Sequence, residues 1–224
     1  MSLYKLSKTV FSISHNAERF LNGITSNSLD RPRNAFLDLH GRIIAACDQI
    51  RVGPDKILIV VEEKYVQALC DHLDKYIKLS RAVVTKEDYR VYFDCEGSFK
   101  PSDGDFVIAQ KKGQLVITRK NLETGVSQEE ITLFRVQNNI PIQGIDYSNE
   151  MLLNVSEEEF VSYTKGCFLG QEFIAKVHSR SRPTWRLVVK AQDDCSDEEK
   201  NKMTSKVFDP EAQKIRGFVF VSNR

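Results

Sequence analysis

The chain has 224 residues, 41% hydrophobic and 28% charged, with a formal net charge of +1. That composition suits a globular protein with a sizeable core, and its balance offers neither a global basic field for nucleic acid nor a polybasic membrane anchor. No run approaches the roughly 18–20 apolar residues of a membrane span, and MSLYKLSKTVFSISHN at the start has no signal-peptide core.

Five cysteines (Cys47, Cys70, Cys95, Cys167, Cys195) form no CxxC pair, and the histidines His15, His40, His72 and His178 lie far apart. The odd count points to reduced thiols in a cytoplasmic compartment rather than a disulfide framework. The spacing points away from a self-contained zinc or iron–sulfur site, so no metal ligands are assigned.

In chain order, NAERFLNG (16–23) suits a short helix with Asn16 as N-cap and Gly23 as its stop. Two apolar runs then flank Leu39-His40-Gly41-Arg42, a hairpin turn with glycine at positive φ. A second turn, Gly53-Pro54-Asp55, precedes the buried strand KILIVV. Val66, Leu69, Cys70, Leu73 and Ile77 fall on one face of an amphipathic helix, which puts Cys70 in the core and leaves His72 solvated.

Four β-rich runs follow, RAVVT, YRVYFDC, DFVIAQ and QLVITRK, suited to an antiparallel meander or to the sheet of an α/β sandwich. Ser127 with Glu130 marks a capping box, and the helix EEITLFRVQNN runs on until Pro141. Ser156 with Glu159 repeats the signature. Near the end, TWRLVVKA and KIRGFVFVSNR read as strands around DDCSDEEKNK, a charged loop exposing Cys195. The pattern predicts an α+β body with a small β module after it.

Residues 162–180 read SYTKGCFLGQEFIAKVHSR, and they carry the functional signal. Glycines on either side of a short loop allow close backbone approach or positive φ. A helix starting after Gly170 would aim its free N–H groups at the loop, and Lys165 lies two residues from Cys167. Both features favour a thiolate. A tight turn holding a buried cysteine is the plain alternative.

KGCFLGQE resembles the K-G-C-(F/Y)-x-G-Q-E signature of the YgfZ family, folate-binding proteins related to the aminomethyltransferase (T-protein) of the glycine cleavage system. Weaker similarity extends through NAERFLNGITSN, LDLHGRIIAACDQIRV, LFRVQNNIPIQGID and FDPEAQKIRGFVFVSN. The resemblance implies a ferredoxin-like α+β core around a folate-sized channel, with a small truncated C-terminal Greek-key β module. It divides the chain into a discontinuous folate-binding-type domain (1–50 with 127–183), a second ferredoxin-like subdomain (51–126) and the β module (184–224).

The resemblance further implies support of iron–sulfur cluster assembly or repair, and through it of tRNA-modifying and other cluster enzymes. The partners are tetrahydrofolate or a derivative and iron–sulfur proteins or assembly factors, with no stable nucleic-acid binding and no membrane. Cys167 is the reactive candidate, and Lys165, Gly166, Gly170, Gln171, Glu172 and Lys176 are the cofactor-binding candidates. Arg180, Arg182 and Arg186, with Lys176, could meet a folate glutamyl tail or a phosphate.

Three alternatives stand beside that reading. A folate-dependent one-carbon transferase needs a carboxylate to manage protons, for which Asp38, Asp48 and Asp146 are available. A cysteine hydrolase needs a histidine base, and His178 lies too far along a helix from Cys167. The fourth reading is an interaction module that keeps the fold without the ligand.

Overall fold

The computed structural model describes residues 2–180 and 182–223. Strands β1 (Leu3–Leu6) and β2 (Lys8–Ser14) lead into helix α1 (Ala17–Ile24), and β3 (Arg33–Leu37), β4 (Ile43–Gly53) and β5 (Lys56–Glu62) precede α2 (Val66–Ser80). Next come β6 (Val83–Glu87), β7 (Arg90–Asp94), β8 (Phe106–Ala109), β9 (Gln114–Thr118) and α3 (Gln128–Asn138). Helices α4 (Leu152–Val155), α5 (Glu157–Phe160) and α6 (Gln171–Arg180) follow, then β10 (Trp185–Ala191), α7 (Asp197–Lys202), β11 (Thr204–Asp209) and β12 (Lys214–Ser222).

The strands form three antiparallel sheets, ordered β3-β4-β5-β2-β6, β1-β7-β9-β8 and β10-β12-β11. Within the first, β2-α1-β4-β5-α2-β6 is a ferredoxin-like unit, and β3 adds an edge strand to it. This sheet is buried on both faces, which explains the unbroken apolar run of β5. Ile57, Ile59 and Val61 pack against α1 and α2, whereas Leu58 and Val60 face the second sheet through Val91, Phe93 and Leu115. The third sheet closes on β3, β4 and α6 through Leu187, Val207 and Phe218. The protein is therefore α+β.

Strand β4 runs across residue 50 to pair with β5, so the first sheet draws on both sides of the boundary expected there. Residues 184–224 supply the whole of the third sheet. Among the described residues no helix is long and apolar enough to cross a membrane.

Several local expectations hold. Gly41 turns the β3–β4 hairpin at φ 70°, and Ser127 and Glu130 form a reciprocal capping box. Four others are corrected. The side chain of Asn16 does not cap α1; Asp55 does, accepting from the backbone N–H groups of Asn16 (3.0 Å) and Ala17 (2.8 Å) across 38 residues of chain. Gly23 does not stop that helix, which runs on to Ile24.

His72 is buried rather than solvated, its ring against Phe36 and Tyr76. The expected stripe of α2 holds, with Leu69 and Leu73 in the core and Val66, Cys70 and Ile77 packed against it, and His72 joins them. Burial holds the His72 pKa down. Cys195 is buried too, because SDEEKNK is a helix capped by Ser196 and Glu199 rather than a loop. That helix folds the thiol against Met203 and Val219, where it donates to the Ala191 carbonyl (3.3 Å).

Candidate functional site

The loop 162–170 is fastened to the C-terminal end of α1 at both of its ends. The Ser162 N–H donates to the Ser26 carbonyl (3.1 Å), and the Leu169 N–H to that of Gly23 (3.0 Å). Phe168 is the loop's apolar anchor, buried beside Leu37 and Ile174. Between these fixed points Gly166 and Cys167 are exposed, and Cys167 is the exposed member of the five free cysteines.

The two glycines differ in what they do. Gly170 takes φ 84°, and a Cβ there would lie 2.5 Å from the Asp38 carbonyl, so only glycine lets the loop cross the β3–β4 hairpin. Gly166 would place a Cβ in open space. The helix expected after Gly170 is α6, with Gln171 accepting through Oε1 from the Phe168 N–H (3.2 Å). Glu172 and Lys176 are exposed along it.

Lys165 is committed away from the thiol. Its Nζ donates to the carbonyls of Thr25 (2.6 Å) and Asn27 (3.0 Å) and lies 5.2 Å from the Phe168 ring centroid. Burial without a counter-charge lowers its pKa to about 8. His178 pairs with Glu157 (Nδ1–Oε1 2.5 Å) and stacks on Tyr163, so the structure offers it other work than serving Cys167 as a base.

A second locus is the cavity where the first two sheets and α3 meet. Leu6, Phe93, Leu115, Ile131, Ile140 and Ile142 form its apolar wall, and Lys8, Arg33, Asp48, Glu62, Gln110 and Tyr147 its polar one. Lys8 Nζ bridges Glu62 (2.7 Å) and Asp48 (3.3 Å), Gln110 donates to Asp48 (3.1 Å), and Arg33 pairs with Glu159. Burial works against the charge on Lys8, but Glu62 and Asp48 outweigh it and raise its pKa. Burial pushes the Tyr147 phenol and the Cys47 thiol well up.

Two polar atoms of this wall have no hydrogen-bond partner among the described residues: the Tyr147 hydroxyl and Arg33 Nε, the latter 3.9 Å from Asp48. Tyr147 is 5% exposed, and a buried polar group without a partner costs about 1–3 kcal/mol. The space open to water-sized molecules is about 50 Å³. At about 12 Å³ per water centre, that is room for about four waters.

None of residues 162–180 lines this cavity, so the signature loop and the cavity are separate places. Of the three candidate carboxylates only Asp48 reaches it. Asp38 accepts from the N–H groups of His40 and Arg42 in the hairpin turn, and Asp146 is paired with Arg135 and hydrogen-bonded to Thr204 and Ser205. Lys8, Arg33, Glu62, Gln110 and Tyr147 were not singled out by the sequence. The available signal was charge inside apolar strand runs, as at Asp48 in IIAACDQIRV, since a buried charge needs a partner.

This arrangement belongs to the class of folds built from a ferredoxin-like unit, a packed second sheet and a C-terminal β module. The structure is similar to the glycine cleavage system aminomethyltransferase T from Bartonella henselae, with a TM-score of 0.75 and 14% identity over 98% of this chain and 78% of that one. No protein-family model matches the sequence, and no curated protein matches it. The fold is thus that of the aminomethyltransferase T-protein.

Proposed function

We propose that this chain is a YgfZ-like accessory protein that supports iron–sulfur cluster assembly or repair through Cys167, with tetrahydrofolate or a derivative as its small-molecule ligand. The observation that carries the reading is the presentation of the thiol. Cys167 stands exposed on a loop fastened at Ser162 and Leu169, while the other four thiols are buried or half-buried. A lone thiolate supplies one of the four ligands a cluster usually takes, which suits an assisting protein better than a carrier. Lys165, Gly166, Gly170, Gln171, Glu172 and Lys176 build or flank the loop.

The cavity offers polar atoms suited to the head of a folate: its unmatched Tyr147 hydroxyl and Arg33 Nε are donors for the carbonyl and ring nitrogens of a pterin, and its room would have to widen to admit the whole ring system. Asp48 and Glu62 are acceptors for its amino group. Bound there, a reduced folate supplies a carrier for one-carbon units; the chain's own residues hold its head and exclude water.

A one-carbon transferase stands as the second reading, since Asp48 is the one candidate carboxylate on the cavity, although Lys8 and Gln110 already engage it. The interaction module without folate is favoured by the same engagement, since Lys8, Asp48 and Glu62 satisfy one another unaided.

Two measurements test the reading. Cys167→Ser is expected to fold normally and to lower the activity of iron–sulfur enzymes, including tRNA-modifying ones, in cells that depend on this protein. Unchanged enzymes would remove the role of the thiol. Calorimetric titration with 5-formyltetrahydrofolate is expected to give 1:1 micromolar binding, and absence of heat or competition would leave the interaction module.

A further inference from the structure

We infer that the pocket walled by Trp185, Phe220 and Glu150 binds an arginine side chain of a partner protein, its guanidinium lying on the indole face and pairing with the Glu150 carboxylate. The inference is independent of the folate reading and of the thiol loop, since no residue of the central cavity or of 162–180 lines this pocket.

The pocket follows from the register of the third sheet. The opposed pairs Val189–Phe218, Leu187–Phe220 and Trp185–Ser222 put Trp185 on the face that closes over the core. Phe218 and Leu187 are buried in that core and Phe220 packs against it, but the row outruns its cover, and Trp185 is 46% exposed. The strand end is nevertheless fixed. The Asn223 N–H donates to the Thr184 carbonyl (3.0 Å), and the Asn223 amide to that of Pro183 (2.8 Å). The space beside the indole is about 420 Å³, within the range of ligand sites.

Charge selects the occupant. The wall carries three carboxylates, Glu150, Glu198 and Glu199, against one ammonium, Lys202. Glu199 is committed to the Ser196 N–H (2.9 Å) and to Lys190 (2.9 Å). Glu198 pairs with Lys202 (2.7 Å), but both side chains are largely exposed, and such a pair opens readily. The Glu150 carboxylate has no hydrogen-bond or ion-pair partner among the described residues. Its backbone, by contrast, is held: the Glu150 carbonyl accepts from the Ile43 N–H (2.9 Å), and Arg42 donates to the Asn149 carbonyl (2.9 Å). A guanidinium answers both features at once, stacking on the indole and donating to the carboxylate. The ammonium of lysine is a point charge without the planar face for the first of these.

Among the described residues no arginine of this chain lines the pocket. Lys176, Arg180, Arg182 and Arg186, the cations singled out in the sequence, border neither it nor the central cavity. Arg186 follows Trp185 on β10 and so projects from the opposite face of the sheet. Tryptophan and arginine are the residue types that most often anchor a protein interface from a small pocket, which is the part this site is shaped to play.

Trp185 is the single tryptophan of the chain, so its fluorescence reads the pocket directly. The full chain is titrated with acetyl-arginine amide at constant ionic strength, beside the citrulline compound, which has the same shape without the charge. The arginine compound is expected to change the fluorescence saturably, with a Kd of about 1–10 mM for one anchoring side chain, and the citrulline compound to bind about tenfold more weakly or less. Glu150→Gln should weaken arginine binding about tenfold, as loss of a charged hydrogen-bonded partner would. It should leave the urea midpoint unchanged, because the Glu150 side chain makes no structural contact. Glu172→Gln, an exposed carboxylate outside the pocket, should bind as the parent does. Equal responses to arginine and citrulline, or arginine binding unmoved by Glu150→Gln, overturns the inference. Tetramethylammonium binding more tightly than the arginine compound overturns it as well, in favour of a small quaternary ammonium.

Discussion

The thiol loop and the central cavity are built on opposite plans. The loop is nine contiguous residues, held near its ends by backbone hydrogen bonds and exposed in the middle. The cavity gathers side chains from β1, β2, β3, β4, β5, β7, β9 and α3 and from the segment after β8, with charges that satisfy one another inside the protein. In the loop, Gly170 fixes the backbone while Phe168 anchors it and Lys165 ties it to Thr25 and Asn27. In the cavity, backbone is ordinary and each charge depends on another far away in sequence.

The sharpest way to break this contrast is to orphan a charge in the cavity. Lys8→Met leaves Asp48 and Glu62 without their common cation, and removing one partner from a buried pair costs about 3–5 kcal/mol. Urea unfolding measures it. A loss near 0.5 kcal/mol would mean that water already reaches these carboxylates.

The loop's counterpart is Gly170→Val. It puts a β-branched side chain at φ 84° and a Cβ into the Asp38 carbonyl, with an expected loss of about 3 kcal/mol or more. The same assay on Gly166→Val is expected to show a change within about 0.5 kcal/mol, because its Cβ meets nothing. Equal losses at the two glycines would contradict the geometry of the loop.

The two lysines separate the regions by pH. Lys8 has a raised pKa, so its contribution is full below the ordinary lysine value of about 10.4 and fades as pH rises through its folded value. Lys165 has a pKa lowered to about 8. From there to about 10.4 the unfolded chain binds more protons than the folded one, so stability from this group rises with pH. Lys165→Met should remove that rise, seen in denaturation midpoints from pH 7.5 to 10.5. A mutant parallel to the parent across that window would show that the Lys165 ammonium is solvated.

Much of the fold was legible residue by residue. The turns at Gly41 and Gly53-Pro54-Asp55, the capping box at Ser127, and the strands KILIVV and YRVYFDC appear where local pattern places them. The misreadings share one cause. His72 and Cys195 were judged by the polarity of their neighbours in sequence, whereas packing of α2 on Phe36 and folding of α7 against Met203 decided their burial. Asn16 looked like a cap, but Asp55 arrived first, carried there by the β4–β5 hairpin.

By itself the sequence determined the α+β class, the thiol loop and the start of α6 after Gly170, because each depends on contacts within a few residues: helix periodicity, positive φ and a capped turn. Tertiary structure alone decided that Lys165 would serve two carbonyls rather than Cys167, that Asp48 rather than Asp38 or Asp146 would face the cavity, and that Arg33 and Tyr147 would sit beside it with atoms unmatched. A buried charge goes wherever its partner is, and the partners here lie as far apart as residues 8 and 62, or 33 and 159.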